Sequence, residues 1–445
     1  MIQAFQHDKT FTVTHRSVLA IALPMTLGYI TTPLLGITDT AVIGRTGEAA
    51  ALAGLAIGAV LFDLLFSSLN FLRASTTALV AQAFGRSDPR EQVAVFCRSM
   101  ILSVSIGLVI LLLSPLLLKG GLVMMGPEGH VADLTATYFS IRILAGPLTL
   151  ANFTIMGFVL GRGNGALGLA LQVLLNGVNI GLSILLGLHF GWGVSGVAIG
   201  AVAGEACATV AGLAIILSRL NRAQMPTWAE LLNRERLSEL FSLNRDILIR
   251  SFVLLAAFTL LTRIGTSFGA TTLAANALLM NFFMIASFYL DGIANAAEQI
   301  TGRAVGSLYR PGFEQGVKLT SIWSLGLALT TTLFFLTQGG HLIDAMTTAE
   351  DVRQMARHFL PWAAITAITG ALAFQMDGIF IGAAWSSDMR NMMLGAFAGY
   401  LLALALLVPA FGNHGLWLSL NLFLALRGVL LLSRLKARTN QTFKP

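Results

Sequence analysis

The stretch LLGITDTAVIG (34–44) holds a single carboxylate, Asp39, near the end of an apolar run that begins around Val18. On insertion scales a charge at the centre of a bilayer costs about 2.5–3.5 kcal/mol, so an acid in such a run is expected to take up a proton, hold a cation or meet a base. Two prolines, Pro24 and Pro33, precede it. Proline removes a backbone hydrogen bond and kinks a helix, so a bend here is expected to switch as the acid gains or loses a proton or ion. The plainer alternative makes Asp39 a helix-end residue paired with Arg45. Arg45 is six residues away and off the same helical face, which counts against it.

Other polar residues fall at helical spacing inside apolar runs. In LLNGVNIGLSILLG, Asn176, Asn179 and Ser183 share one face. Such a stripe faces a cavity or a neighbouring helix. Tyr138 and Asn152 are candidates for the same network. In FYLDGIANAAEQITGRAVG, Asp291, Asn295, Glu298 and Gln299 again share a face, and FQMDGIFIGAAWSSDMRN places Asp377 inside an apolar run. Asp63 and Glu205 are further acids in apolar runs, with no partner legible from the sequence. Acids outnumber bases in these runs, where Arg142 is the clearest base. A cavity of that sign favours cationic substrates or cation coupling.

The elements that position these residues follow from composition. Of 445 residues, 56% are apolar and only 11% charged, where a soluble protein carries roughly a quarter charged. The chain therefore reads as an all-α integral membrane protein. With about 20 residues per span, twelve are expected, at 17–42, 50–72, 93–117, 134–160, 166–189, 194–218, 246–268, 274–300, 317–337, 356–382, 391–411 and 415–433. In this layout the Lys and Arg residues favour the side of both termini by about four to one, which puts the termini in the cytoplasm. The net charge of +7 sets topology and implies no nucleic-acid partner. The polar N-terminus lacks a short apolar region followed by a cleavage site, so no removed signal peptide is expected. The segment 218–246 is the most charged stretch and the boundary between halves. Its AELLNRERLSELF portion has helical periodicity and is expected to lie along the membrane surface.

The halves echo each other. GFVLG (157–161) matches GIFIG (378–382), AQAFG (81–85) matches GRAVG (302–306), and TGEAAALAG (46–54) resembles FGATTLAAN (268–276). Each match is cheap in a chain with 45 glycines; their shared offset, about half the chain, is not. Six spans per half implies two six-helix lobes related by a pseudo-two-fold axis along the membrane normal, with a cavity between them. The lobes are expected at 1–218 and 246–445, joined by a cytoplasmic linker, 219–245. The position matching Asp39 in the second half falls near Leu261, so the repeat unit itself does not demand the acid.

Several chemistries are excluded. No G-x-x-x-x-G-K-[ST] pattern appears, and no soluble segment is large enough for an ATPase, so energy must come from an ion gradient. Cys97, Cys207 and the seven histidines show no metal-ligand spacing. An intramembrane enzyme would need a Ser–His pair, protease-like paired aspartates or metal-binding histidines, and none is present.

At these residues the chain resembles the multidrug and toxic compound extrusion (MATE) family, in its DinF branch. The stretches that carry the resemblance are IALPMTLGYITTPLLGITDTAVIG, FLRASTTALVAQAFG, LNRDILIRS, YLDGIANAAEQITGRAVG, DGIFIGAAWSSDMRN and GNHGLWLSLNLFLALRG, nearly end to end. The resemblance implies a V-shaped pair of lobes. It also implies export of amphipathic, often cationic compounds in exchange for H+ or Na+, with no other cofactor. It places Asp39 on the family's first-helix acid and Pro24 on the proline that accompanies bending of that helix. The branch pattern Asn-x-x-Asn-x-x-x-Asp matches at Asn176 and Asn179, but Ser183 stands at the final acid. That departure favours a single-proton role for Asp39, with Asn176, Asn179, Ser183 and Tyr138 around it. Asp377 falls on a tenth-helix acid used in other branches, without a seventh-helix glutamate partner. Asp291, Glu298 and Asp377 remain a possible second-lobe site. The expectation is a monomeric secondary antiporter of the inner (plasma) membrane. The alternative is an exporter or flippase of a lipid-like or metabolite substrate.

Overall fold

The computed structural model describes residues 11–220 and 224–444; part of the linker, 221–223, lies outside them. Among the described residues twelve helical segments are long and apolar enough to cross a membrane, one for each expected span. In chain order the helices are α1 (His15–Gly44), α2 (Ala49–Ser67), α3 (Phe71–Gly85), α4 (Pro89–Leu112), α5 (Ser114–Met125), α6 (Gly129–Arg142), α7 (Gly146–Gly161) and α8 (Gly165–Leu182). They continue with α9 (Gly193–Ser218), α10 (Trp228–Leu231), α11 (Arg234–Gly265), α12 (Ala270–Gly306), α13 (Arg310–Met346), α14 (Glu350–Gly382), α15 (Ser386–Phe411) and α16 (Asn413–Thr442). The second span is α2 and α3 joined through a 3-10 turn, and the fourth is α6 and α7 joined the same way.

Two boundaries differ from the sequence reading. The third span ends at Leu112 rather than near 117, because Pro115 sits in the first turn of a new helix, α5. Proline has no N–H to continue the ladder. The linker does not form a separate surface helix. After the single turn α10, the chain from Arg234 onward is already α11 and runs on into the seventh span. A reciprocal capping box between Thr227 and Glu230 closes α10. Arg90 meets Glu230 at 3.0 Å, and Arg98 donates to both Glu91 carboxylate oxygens and to the Glu230 carbonyl.

Contacts divide the described residues into two compact units: 27–84 with 88–220 and 224–240, and 11–26 with 85–87 and 241–444. In lipid, apolar side chains gain little by leaving the solvent, so helices associate through close packing of small residues and buried polar bonds. The first unit shows this at α8 against α9. Gly196, Gly200 and Gly204 recur every fourth residue on α9. A Cβ at Gly200 would lie 2.8 Å from the Ser183 backbone nitrogen, and one at Gly204 would lie 2.7 Å from the Leu175 carbonyl oxygen. In the second unit α14 is central and packs on α12, α13 and α16. Tyr400, Trp417, Phe282 and Phe335 are fully buried there, and the Trp417 indole donates to Asn276 at 2.9 Å.

Helix α1 belongs to both units. Its start, with Val18, Ile21 and Ala22, packs on Ile293, Ala296, Ile300 and Leu319. Its end, with Val42 and Ile43, packs on Leu55, Tyr138, Val197 and Ala198. The division falls between Thr26 and Leu27, three residues after Pro24.

Candidate functional site

The first unit gathers Asp39, Asn176, Asn179, Ser183 and Tyr138 into one polar region. The asparagine face of α8 is directed at α1. Asn176 Nδ2 donates to Thr31 Oγ1 at 2.6 Å, and Gln172 Nε2 donates to Asn176 Oδ1 at 3.2 Å. Thr31 lies eight residues before Asp39, about two turns back on the same helix. Ser183 Oγ donates to Asn179 Oδ1 at 3.1 Å and lies beside the Asp39 carboxylate. A hydroxyl has one proton. With that proton on Asn179, Ser183 presents a lone pair to a protonated Asp39; turned toward Asp39, it donates to the carboxylate. Asp39 Oδ1 is buried without a hydrogen bond. The groups that act on Asp39 are Ser183 and Arg142, in place of the Arg45 of the plainer alternative.

The backbone changes character at this point. At Ser183 the α-helix gives way to a π-helical turn, Ser183–His189. Such wide turns are rare and frequently mark functional sites. The glycine face of α9 seats this turn: a Cβ at Gly196 would meet the Gly187 nitrogen at 2.5 Å.

Arg142 ends α6 and enters the same region. Its guanidinium carbon sits 4.1 Å from the Phe62 ring centroid, and Nη2 is 3.8 Å from Glu205 Oε1. Its charge acts on Asp39, Asp63 and Tyr138, and Tyr138 also lies within hydrogen-bonding reach of it. Tyr138 is buried in the space left by Gly58, where a Cβ would strike its ring. Asn152 completes a second polar knot: its Nδ2 donates to Glu205 Oε2 at 2.7 Å and to the Glu205 carbonyl at 3.0 Å, while its Oδ1 accepts from Thr209 at 3.1 Å. Asp63 and Glu205, partnerless in sequence, thus converge on Arg142.

The second unit treats its acids differently. Asp377 on α14 accepts at Oδ2 from Arg250 of α11 at 2.5 Å and from Arg427 of α16 at 2.7 Å. Asp377 and Arg427 are buried, and Asp291 on α12 also acts on Arg427. The acids alone suggest a negative cluster; the fold brings two guanidiniums to it. The seventh span presents Arg250 to Asp377 where a carboxylate partner would be needed for a cation site. Glu298 lies two turns beyond Asp291 and is buried where α14 passes close at Gly382, in contact with the Glu298 carbonyl. Pro24 lies between Ala22 and Thr26, both of which pack into the space left by Gly292 of α12.

Thr31 and Gln172 join the site without having been singled out in the sequence. The available signal for Thr31 is its spacing from Asp39; for Gln172, its place one turn before Asn176.

The MatE family model matches the chain twice, over residues 24–185 and 247–407, one match to each half of the repeat. The chain is 34% identical to DNA damage-inducible protein F of Escherichia coli, over 94% of this chain and 91% of that protein. It is 28% identical to the probable multidrug resistance protein NorM of Deinococcus radiodurans, over 95% of each. A solved structure of MATE in the straight conformation superposes with a TM-score of 0.88, covering 100% of this chain and 99% of that one at 15% identity, a likeness of fold alone. With the doubled family match, the full-length kinship to the E. coli protein and the twelve apolar helices, the chain belongs to the MatE family, whose members are multi-pass membrane proteins and secondary transporters rather than enzymes.

Proposed function

We propose that this chain is a proton-coupled antiporter that exports amphipathic, cationic organic compounds by alternating access of two lobes, 1–218 and 246–445. The observation that carries this reading is Asp39: an acid in the first unit with one buried oxygen left without a hydrogen bond, beside a serine whose single proton can go to Asn179 or to the carboxylate. The names of relatives, multidrug resistance and multidrug export proteins, support the substrate class. Both termini face the cytoplasm, the membrane is the inner (plasma) membrane, and the working unit is a monomer.

In this mechanism a protonated Asp39 donates to Ser183, which donates to Asn179. Loss of the proton leaves a carboxylate that draws the Ser183 hydroxyl to itself and breaks the Ser183–Asn179 bond. That bond joins the first turn of the π segment to α8, so the protonation state of α1 is passed to the widest turn of the neighbouring helix. The end of α1 that carries Asp39 and the start that packs on α12 meet near Pro24. A change in packing at Asp39 therefore has a bend point within the same helix. Substrate and proton compete for the ionised form: substrate binds it from the cytoplasm, and protonation from outside releases it.

One observation favours a second reading, export of a lipid-like or metabolite substrate: the two guanidiniums at Asp377, whose Nε atoms are buried without hydrogen bonds. Proteoliposomes loaded with a pH-sensitive dye decide between the two. A cationic substrate that releases protons from the lumen as it enters supports antiport; counterflow seen only with anionic amphiphiles supports the second reading.

A further inference from the structure

Arg142 is a permanent charge that the antiport cycle above does not use. It sits among acids from three helices: Asp39 on α1, Asp63 on α2 and Glu205 on α9, with Tyr138 on its own helix. These titratable groups face it from four elements of the first unit. Its Nη1 is buried without a hydrogen bond, as is Asp39 Oδ1. The guanidinium carbon lies 4.1 Å from the Phe62 ring centroid, and Nη2 lies 3.8 Å from Glu205. Neither contact is a close bidentate pair, so the charge is present in the lobe without being consumed by one acid.

We infer that Arg142 is the built-in cation of the first-lobe site and sets the coupling ion, admitting a proton to Asp39 and excluding Na+. The inference rests on the antiporter reading above. A proton binds Asp39 as a neutral O–H and needs no shell of oxygens. Na+ brings a full charge and needs several oxygen ligands. At this site it would enter the repulsive field of a fixed guanidinium between buried polar atoms, where charge interactions are less screened than in water. Ser183 offers a neutral oxygen where a second carboxylate would have offset that repulsion. Arg142 thus already offsets one of the three acids that face it, the share a bound Na+ would otherwise take.

The test uses purified protein in liposomes, with dye efflux driven either by a pH gradient or by a Na+ gradient at equal pH. Wild type, Arg142→Gln, Arg142→Lys and Asp39→Asn are compared. The expected result is no Na+-driven efflux in wild type and Arg142→Lys, and Na+-driven efflux in Arg142→Gln. The pH above which pH-driven efflux declines is expected to rise in Arg142→Gln, because a neighbouring cation no longer favours the carboxylate. A structural role alone would lower all rates and leave the ion dependence unchanged. Na+-driven efflux in wild type overturns the inference, as does an Arg142→Gln protein that transports with unchanged ion and pH dependence. A second measurement needs no variant: Na+ that raises the melting temperature of wild-type protein relative to choline shows a Na+ site and overturns it too. Full pH-driven efflux by Asp39→Asn sinks the antiporter reading instead, and is seen independently of Arg142.

Discussion

Arg427 donates to Asp377 Oδ2 at 2.7 Å while Arg250 donates to the same oxygen from another helix. One carboxylate oxygen therefore anchors α11, α14 and α16. Removing one partner of a buried ion pair leaves an uncompensated charge and costs about 3–5 kcal/mol. Asp377→Asn is expected to lower the melting temperature in detergent sharply. Asp377→Leu combined with Arg427→Met is expected to be less harmful than Asp377→Leu alone, because one of the two guanidiniums is removed together with its partner. Thermal unfolding followed by tryptophan fluorescence reads both.

The close approach of α8 and α9 gives a steric prediction. Gly200→Val would drive side-chain atoms into the Ser183 backbone and hydroxyl, and overpacking of this kind costs about 1–3 kcal/mol. It also displaces the residue beside Asp39, so transport is expected to fall further than stability does. Gly177→Ala is the control: the position has open space around it, and melting temperature and efflux are expected to match wild type.

Asn152 satisfies Glu205 twice over. Asn152→Leu removes both bonds and leaves the carboxylate with Arg142, 3.8 Å away, as its ion partner. The loss of a hydrogen bond to a buried charged group costs about 1.5–3 kcal/mol, measurable as a drop in melting temperature. Arg142 is expected to shift toward Glu205.

Ser183→Asp places a second carboxylate beside the first. Two adjacent acids share a proton, because like charges at close range disfavour each other's ionisation. The variant is expected to retain protons to higher pH than wild type. The pH at which pH-driven efflux declines should then move upward. An unchanged pH profile would show that position 183 does not face Asp39 in the working cycle.

The number of spans and the presence of an acid, Asp39, inside the first apolar run are legible in the sequence because each depends on local pattern. An apolar run of sufficient length is a helix in lipid whatever surrounds it, and a lone acid in such a run needs no partner to be noticed. The asparagine face of α8 follows from helical spacing alone. Pairing across distance is what stays hidden. Arg250 and Arg427 lie 127 and 50 residues from Asp377. Neither is marked by local pattern as the partner of an acid, yet the fold turns both onto Asp377. Arg142 is visible as an intramembrane base, but its convergence with Phe62 and Glu205 depends on how α2, α6 and α9 pack. The π turn at Ser183 leaves no compositional mark either; it becomes legible only against the glycine face of α9.

In the proposed mechanism the proton on Asp39 drives transport. The most direct measurement is cationic-dye efflux from liposomes under an imposed pH gradient, comparing wild type with Asp39→Asn at equal protein incorporation. Loss of pH-driven efflux in Asp39→Asn, with dye binding retained or weakened but the protein folded, is the expected result. Efflux in Asp39→Asn equal to wild type would contradict this mechanism and move the coupling site elsewhere in the chain.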